Sequence, residues 1–447
     1  MNDTIFARAS AAGRAAVAVV RLSGPATSDV LQRLAGVLPE PRRASLRRLR
    51  NSDGALIDQA LVLWMPGPAS FTGEDSAELH IHGGLAVLED LQTTLIADGL
   101  RAAEPGEFTR RAFVNGKMDL LQAEAVADLV DAETQAQRAQ ALSQMSGSVG
   151  RRYEAWRDQL IEALAYIEAE NDFPDEDLPG ALSARARPLV TAVLDDLEAA
   201  LGRAKRGRSI REGYRIALIG APNAGKSSLF NALLERDAAI VSARAGTTRD
   251  VVTAELRVAG YAVTLADTAG LRETSDEIEG EGVRRARAWA TSANWRLLIV
   301  EPGAFDPAAE VSDIVRAGDV VVLNKSDLGE GETYEGVKRS AEPLGLQIVR
   351  SSGLAHGGTL DLARMIEGRV VEELSGDEPP LTTRRRHEDA VGRARLSLGR
   401  GLEALTLEPE KAADDIRRAI GALRSVVGEV NREAVLDRVF SSFCIGK

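Results

Sequence analysis

The chain has 447 residues, a formal net charge of −12, one cysteine and four histidines, with 44% apolar and 27% charged residues. That length predicts two to four domains with ample core; the single cysteine excludes an internal disulfide framework, and four histidines leave little for a metal cluster. No run approaches the roughly 18 apolar residues of a membrane span, and the opening "MNDTIFARASAAGRAAVAVVRLSG" is broken by Arg14 and Arg21, so it does not read as a secretory signal. The expected location is therefore cytoplasmic, with no membrane partner. An acidic chain is not a general nucleic-acid binder; "PRRASLRRLR" (41–50), "GRAKRGR" (202–208) and "TTRRRH" (382–387) are locally basic and read first as solvated faces or helix ends, with phosphate contact as the alternative.

From 1 to 117 the pattern is α+β. "AAVAVVRLSG" and "QALVLWMPG" are β-branched or apolar runs bounded by Gly or Pro, as strands are. "ATSDVLQRLAGVL" and "GLAVLEDLQTTLIADGL" carry helical spacing. From 118 to 213 the chain is rich in Ala, Leu and Glu with apolar residues three and four apart, interrupted at "FPDEDLPG", where Pro174 and Pro179 stop a helix. From 214 to 377 strands alternate with helices: "YRIALIG", "AVTLADTAG", "WRLLIVEPG", "VVVLNKSD" and "LQIVRSS". This alternation predicts a doubly wound parallel sheet. From 378 to 447 the chain is helical again. The expected fold class is multidomain α/β and α: an N-terminal α+β domain and a helical domain in two parts (118–213 and 378–447), interrupted by an α/β insertion.

"GAPNAGKSS" (220–228) lies between "YRIALI" and "LFNALL" and fits the phosphate-binding loop G-x-x-x-x-G-K-[ST] in its strand–loop–helix setting. Gly220 and Gly225 let the backbone curl so that amides face phosphate oxygens at a helix N-terminus. Lys226 is placed for the β- and γ-phosphates and Ser227 for Mg²⁺. "DTAG" (267–270) ends a strand; Asp267 suits the Mg²⁺ shell and the Gly270 amide a γ-phosphate. In "NKSD" (324–327), Asp327 can accept from N1–H and the exocyclic amine of guanine, a donor pair adenine lacks. Asn324 can bond the other edge of the base, and the Lys325 stem can cover it. "SSG" (351–353) matches a guanine loop, and "GTTRD" (246–250) supplies Thr248 for Mg²⁺ and the γ-phosphate. The expected GTP contacts are Asn223, Ala224, Gly225, Lys226, Ser227 and Ser228; Ser242, Ala243, Arg244, Ala245, Gly246, Thr247 and Thr248; Asp267, Thr268, Ala269 and Gly270; Asn324, Lys325, Ser326 and Asp327; and Ser351, Ser352 and Gly353. Ras-like enzymes put a water-orienting glutamine directly after this "DTAG". Here Leu271 stands there, so another group must assist: a monovalent cation beside Asn223 can neutralise phosphate charge, and a carboxylate of "RETSDEIEGEG" (272–282) can orient the water.

On these motifs, with "FTGEDSAELHIHGG" (71–84), "PGEFTRRAFVNGKMDLLQAEAVADL" (105–129) and the terminal "FCIGK", the chain closely resembles the tRNA-modification GTPase family called MnmE or TrmE along its whole length. The resemblance implies an N-terminal domain (1–117) that binds 5,10-methylene-tetrahydrofolate or a 5-formyl derivative and forms a homodimer. It implies a GTPase domain (214–377) inserted in a helical domain. It further implies a flavoprotein partner, MnmG, in a heterotetramer. Together, with FAD and NADH through the partner, they install an aminomethyl or carboxymethylaminomethyl group at C5 of the wobble uridine of certain tRNAs. Position by position, Asn223 looks like the potassium-binding asparagine, with further K⁺ ligands from Ser242, Arg244 and Thr247. Glu279 is similar to the glutamate that positions the hydrolytic water, so Lys226, Thr248 and Glu279 are the expected catalytic set for GTP. Arg21, Glu78, Lys117 and Lys447 match the folate contacts.

The alternative is a ribosome-assembly GTPase, which shares "DTAGL" and the potassium loop but leaves "PGEFTRRAFVNGKMDL" and "FCIGK" unexplained. Cys444, three residues from the end, is expected in the family to lie by the folate site, either as a reactive thiol or as packing for the tail.

Overall fold

The computed structural model describes residues 3–172, 183–221, 223–236, 252–268, 277–301, 313–328, 333–355, 357–428, 433–441, 443 and 446. The chain divides into two compact units: 1–130, 143–193 and 397–447 form one, and 131–142 with 194–396 the other.

The first unit is built on a six-stranded sheet of order β3-β4-β5-β2-β1-β6. Its strands are β1 (Ile5–Arg8), β2 (Ala15–Ser23), β3 (Ser45–Arg50), β4 (Leu56–Met65), β5 (Ser76–Gly83) and β6 (Arg101–Ala102). The β1–β6 pair is parallel and the other pairs antiparallel. Helices α1 (Thr27–Ala35) and α2 (Leu85–Ala97) bury Leu31, Leu34, Leu91 and Leu95 against Val20, Val62 and Leu79. The helices expected over 26–38 and 84–100 thus form inside those bounds. The basic run 41–50 supplies the edge strand β3, where alternating residues are exposed, and cations on an edge oppose intermolecular pairing. Helix α3 (Glu107–Val114) follows. The long Ala-rich stretch is three helices, α4 (Leu120–Asp131), α5 (Gln135–Met145), most of which belongs to the second unit, and α6 (Ser148–Asp172). Two reciprocal caps start the first two. Asp119 Oδ1 accepts from the Gln122 amide at 2.7 Å while Gln122 Oε1 accepts from the Asp119 amide at 2.9 Å, and Thr134 and Gln137 do the same. Each satisfies amides that a helix start leaves unpaired.

Helices α7 (Ser183–Gly202) and α8 (Ala204–Glu212) lead to the second sheet, of order β12-β11-β10-β7-β9-β8. Its elements are β7 (Tyr214–Ile219), α9 (Lys226–Arg236), β8 (Val252–Val258), β9 (Tyr261–Asp267), α10 (Glu277–Ser292), β10 (Trp295–Val300), β11 (Val320–Leu323), α11 (Thr333–Ala341), β12 (Gln347–Arg350) and α12 (Leu360–Leu374). Alternate residues of each central strand face opposite layers, as a period of two requires. Ile216, Leu218, Leu297 and Ile299 pack on Leu229 and Leu233 of α9 and Ile366 and Val370 of α12. Ala217, Ile219, Leu298 and Val321 pack on Ala286 and Ala290 of α10 and Val337 of α11. The sheet is not wholly parallel, contrary to expectation: β8 joins β9 in an antiparallel hairpin. Its two-residue turn, Ala259 (φ 49°) and Gly260 (φ 84°), takes the left-handed geometry that suits a tight hairpin. The last helices are α13 (Arg385–Ala404), α14 (Pro409–Val427) and α15 (Glu433–Phe440).

Candidate functional site

The phosphate loop leaves β7 at the carboxyl end of the sheet, where open α/β sheets bind ligands. Gly220 (φ 146°) lies against β10, and a Cβ there would sit 2.3 Å from the Ile299 carbonyl oxygen. Gly225 (φ 90°) is equally constrained: a Cβ would meet Asn324 Nδ2 at 2.1 Å. Asn223 also takes a left-handed φ, 63°. Lys226 is buried, and its Nζ donates to the carbonyls of Gly220 and Ala221, each at 2.9 Å. Burial lowers its pKa, only partly offset by the charge of Asp267. Ser227 Oγ donates to Asp267 Oδ2 at 2.6 Å, and Asp267 Oδ1 is buried with no hydrogen-bond partner among the described residues. Thr268 is turned inward, its hydroxyl donating to the Leu218 carbonyl at 2.6 Å.

The loops after β11 and β12 meet this loop through Asn324. Its Nδ2 donates to the Ala224 carbonyl at 2.9 Å and its Oδ1 accepts from the Gly353 amide at 3.3 Å. The carboxamide, expected to bond a base edge, uses one of its two amide hydrogens and one of its two oxygen lone pairs in these bonds. Lys325 Nζ pairs with Glu301, at the end of β10, and lies 3.4 Å from the Asn223 carbonyl. Asp327 is exposed in a short 3₁₀ turn, Ser326–Leu328. Ser326 is held by the Ser351 carbonyl through both its amide and its hydroxyl. The Ser351 hydroxyl and Ser352 amide both donate to the Gly358 carbonyl, at 3.1 Å and 3.0 Å. Gly353 lies against the start of α9; a Cβ would come 3.0 Å from the Leu229 amide. Of the expected set, Ser242, Ala243, Arg244, Ala245, Gly246, Thr247, Thr248, Ala269, Gly270 and Leu271 lie outside the described residues, as does the side chain of Glu279 in α10.

A second group of predicted residues meets in the first unit. Arg21 and Glu78 are register partners on β2 and β5, paired at 2.9 Å. His80 Nε2 lies 3.2 Å from the other Glu78 oxygen. Burial raises the Glu78 pKa, but hydrogen bonding and charge from Arg21 outweigh it, so the carboxyl sits below its ordinary value. The Arg21 guanidinium lies 5.5 Å from the Phe71 ring centroid and 5.9 Å from that of Phe108. Lys117 Nζ donates to the Pro68 carbonyl at 2.9 Å. Cys444 and Lys447 lie outside the described residues, but Gly446 between them is buried against β1: a Cβ there would be 2.3 Å from the Arg8 carbonyl oxygen. Phe440 and Phe443 pack beside Leu120 and Phe113 in the same unit.

Residues 4–117 match the family model described as GTP-binding protein TrmE N-terminus, and residues 120–444 the MnmE helical domain. The chain belongs to the MnmE (TrmE) family. Two relatives named tRNA modification GTPase MnmE, from Phenylobacterium zucineum and Caulobacter vibrioides, are each 52% identical over 447 residues, covering all of both chains. A third, from Maricaulis maris, is 49% identical and also covers all of both chains. In this MnmE-family chain the sequence did not single out Phe71, Phe108 and His80 around the Arg21–Glu78 pair, nor Glu301 beside Lys325. Glu301 had a signal, since it directly follows a parallel strand at its carboxyl end. The aromatic residues had none beyond lying within family motifs.

Proposed function

We propose that the chain is a GTP hydrolase of tRNA modification, potassium-stimulated, working with the flavoprotein MnmG on C5 of a wobble uridine. The observation that carries the nucleotide part is Asn324, which ties the phosphate loop to both base-side loops. The 52% identity over the full length to proteins named tRNA modification GTPase MnmE carries the tRNA part. The match of 4–117 to the TrmE N-terminus supports modification over ribosome assembly.

In this reading Lys226 exchanges the carbonyls of Gly220 and Ala221 for phosphate oxygens, which relieves the burial of its charge. Asp327 reads guanine, and Asn324 positions that carboxylate over the loop. Asp267 Oδ1, buried beside Ser227 with no hydrogen-bond partner among the described residues, fits a hard cation taking oxygen ligands. Ser227, Thr248 and the Asp267 shell would hold Mg²⁺, which neutralises phosphate charge. Asn223, with Ser242, Arg244 and Thr247, would hold K⁺ for the same purpose. Glu279 orients the water whose attack on the γ-phosphorus breaks the β–γ bridging bond, giving GDP and phosphate. The carboxylate of Glu78, with Arg21 and the exposed ring of Phe71, suits the donor edge and flat face of a pterin. Lys117 and Lys447 suit its acidic tail, so a tetrahydrofolate fits there. FAD and NADH act through the partner, and the homodimer works in the cytoplasm.

The test is mass analysis of wobble uridine in tRNA from a strain lacking this gene, restored with the intact chain or with Lys226→Ala. The modified nucleoside should return only with the intact chain; unmodified uridine with both would overturn the reading.

A further inference from the structure

The second unit holds a cavity of about 450 Å³ that the nucleotide site does not use. It opens at the amino ends of β7, β10 and β11, bounded by Gly213, Trp295 and Gly318. The phosphate loop lies at the opposite, carboxyl end of β7, so six residues of strand, about 20 Å, separate the two. Two of the basic runs in the sequence converge here: Lys205 and Arg208 come from 202–208, and Arg385 from 382–387. Arg215, Arg296, Arg316 and Arg369 join them, with Glu212 and Asp319 the acidic residues of the described lining. In a chain of net charge −12 this concentration of cations stands out.

The cations divide by their partners. Arg296 is buried and fixed: its Nε donates to Asp319 Oδ2 at 2.7 Å and its Nη1 to the carbonyls of Ala290 and Ala293. Asp319 also accepts from the amides of Arg296 and Arg316, so its charge is spent inside the floor. Arg208 is paired with Glu388, and Arg369 with Glu373 at 2.7 Å. The rest are held loosely. Arg215 lies 3.8 Å from Glu212, Lys205 lies 3.7 Å from Glu373, and Arg316 donates to the Thr291 carbonyl at 3.3 Å. Arg385 is exposed at the start of α13. The floor between them is rigid: Asn294 bonds the Ser209 hydroxyl at 2.8 Å and both polar groups of the Arg215 backbone.

We propose that this cavity receives phosphodiester groups of an RNA backbone, with Arg215, Arg316 and Arg385 as the contacting cations. Guanidinium forks match phosphate oxygens, and the volume lies within the roughly 300–1,000 Å³ of small-ligand sites, enough for a short stretch of backbone. A base is not the ligand. The one aromatic in the lining, Trp295, is buried, its Nε1 donates to the Gly318 carbonyl at 2.8 Å, and Arg369 covers its ring at 5.9 Å. No ring face is left for stacking, so binding is by charge and shape, which is how phosphate contacts position an RNA without reading it. The proposal rests on the tRNA-modification reading above.

The test uses the full chain and labelled tRNA, with affinity measured from 50 to 200 mM salt. The triple variant Arg215→Gln, Arg316→Gln, Arg385→Gln should bind tRNA at least about 10-fold more weakly, and its salt slope should fall by roughly 0.7–0.9 for each phosphate that no longer meets a cation. The triple Lys variant should keep most of both. GTP affinity of each variant should stay at the wild-type value, which reports that the unit is folded. If the wild type binds tRNA and the Gln variant matches it in affinity and slope, the cavity assignment falls and the functional reading stands. If the wild type binds no tRNA, the functional reading falls and the proposal with it. If the Gln variant loses only binding of free AMP, the cavity takes a small anion and the proposal is wrong.

Discussion

Asn324 Nδ2 donates to the Ala224 carbonyl at 2.9 Å, so the loop that ends β11 is pinned to the middle of the phosphate loop. The same carboxamide accepts from Gly353. One buried side chain thus sets the spacing between the phosphate loop and the loops that follow β11 and β12.

Replacing Asn324 by alanine strands the Ala224 carbonyl and the Gly353 amide. Each unpaired buried group costs about 1–3 kcal/mol. Affinity for GTP and for GDP should fall together by roughly 10–100-fold, measured by calorimetry. A drop for GTP alone would place the residue at the γ-phosphate instead.

Asp327 is exposed in the 3₁₀ turn that follows β11 and is the residue proposed above to read guanine. Asp327→Asn exchanges an acceptor for a donor. GTP should bind several kcal/mol more weakly, as when a hydrogen-bonding site loses its match, about 10³-fold or more, while xanthosine triphosphate gains. Unchanged GTP affinity would remove Asp327 from base recognition.

With Leu271 where a water-orienting glutamine would stand, hydrolysis should depend on the cation at Asn223. Turnover in K⁺ should exceed that in Na⁺ at equal ionic strength by about 10²–10³-fold, the usual cost of losing one charge stabiliser. Asn223→Ala should abolish the difference. Equal rates of the wild type in both salts would refute potassium stimulation.

Arg111 is fully buried and pairs with Asp3 at 2.9 Å, Glu74 at 3.1 Å and Glu107 at 2.9 Å. Arg111→Met leaves those carboxylates short of a cation and should destabilise the chain by about 3–5 kcal/mol at pH 7. Burial pushes the Glu107 pKa up, but Arg101 and Arg111 outweigh it and hold the carboxyl below its ordinary value. Asp3 is lowered mainly by Arg101. A carboxyl with a depressed folded pKa contributes stability above its unfolded pKa and loses it as the pH falls through the folded value. The penalty of the variant should therefore be full at neutral pH and shrink below about pH 4. Denaturant melts at both pH values check it; a penalty independent of pH would make the arginine a packing residue only.

Gly446 at φ 96° touches the Arg8 carbonyl, which cannot yield as a flexible side chain would. Gly446→Ala should lift the tail from β1 and lower wobble-uridine modification by as much as about 100-fold, the scale of a small misplacement at a reacting centre. GTP turnover should persist. Cys444→Ser separates anchoring from thiol chemistry: normal modification by it, beside failure of a chain lacking 444–447, makes the tail an anchor. Collapse of GTP turnover in the serine variant would contradict the separation.

Local patterns determined a large part of this protein. The phosphate loop between β7 and α9 was legible because a strand, two glycines, a lysine and a helix are contiguous and each obeys short-range rules. The Gly220 and Gly225 φ values follow from those rules. "NKSD" and "SSG" were legible for the same reason, and so was the doubly wound layering, which rests on a period of two along each strand. The antiparallel β8 was not, since its direction is set by a hairpin turn containing Ala259, which sequence gives no reason to place at positive φ. Nor was the use of Asn324, whose partners Ala224 and Gly353 lie 100 and 29 residues away. The cation cluster around Arg215, Arg316 and Arg385 is of the same kind. Its members come from a strand, a loop and a helix, and only Arg385 belongs to a run that the sequence marks as basic. Only the tertiary structure brings them together, because proximity between distant residues is a property of packing and not of any local pattern.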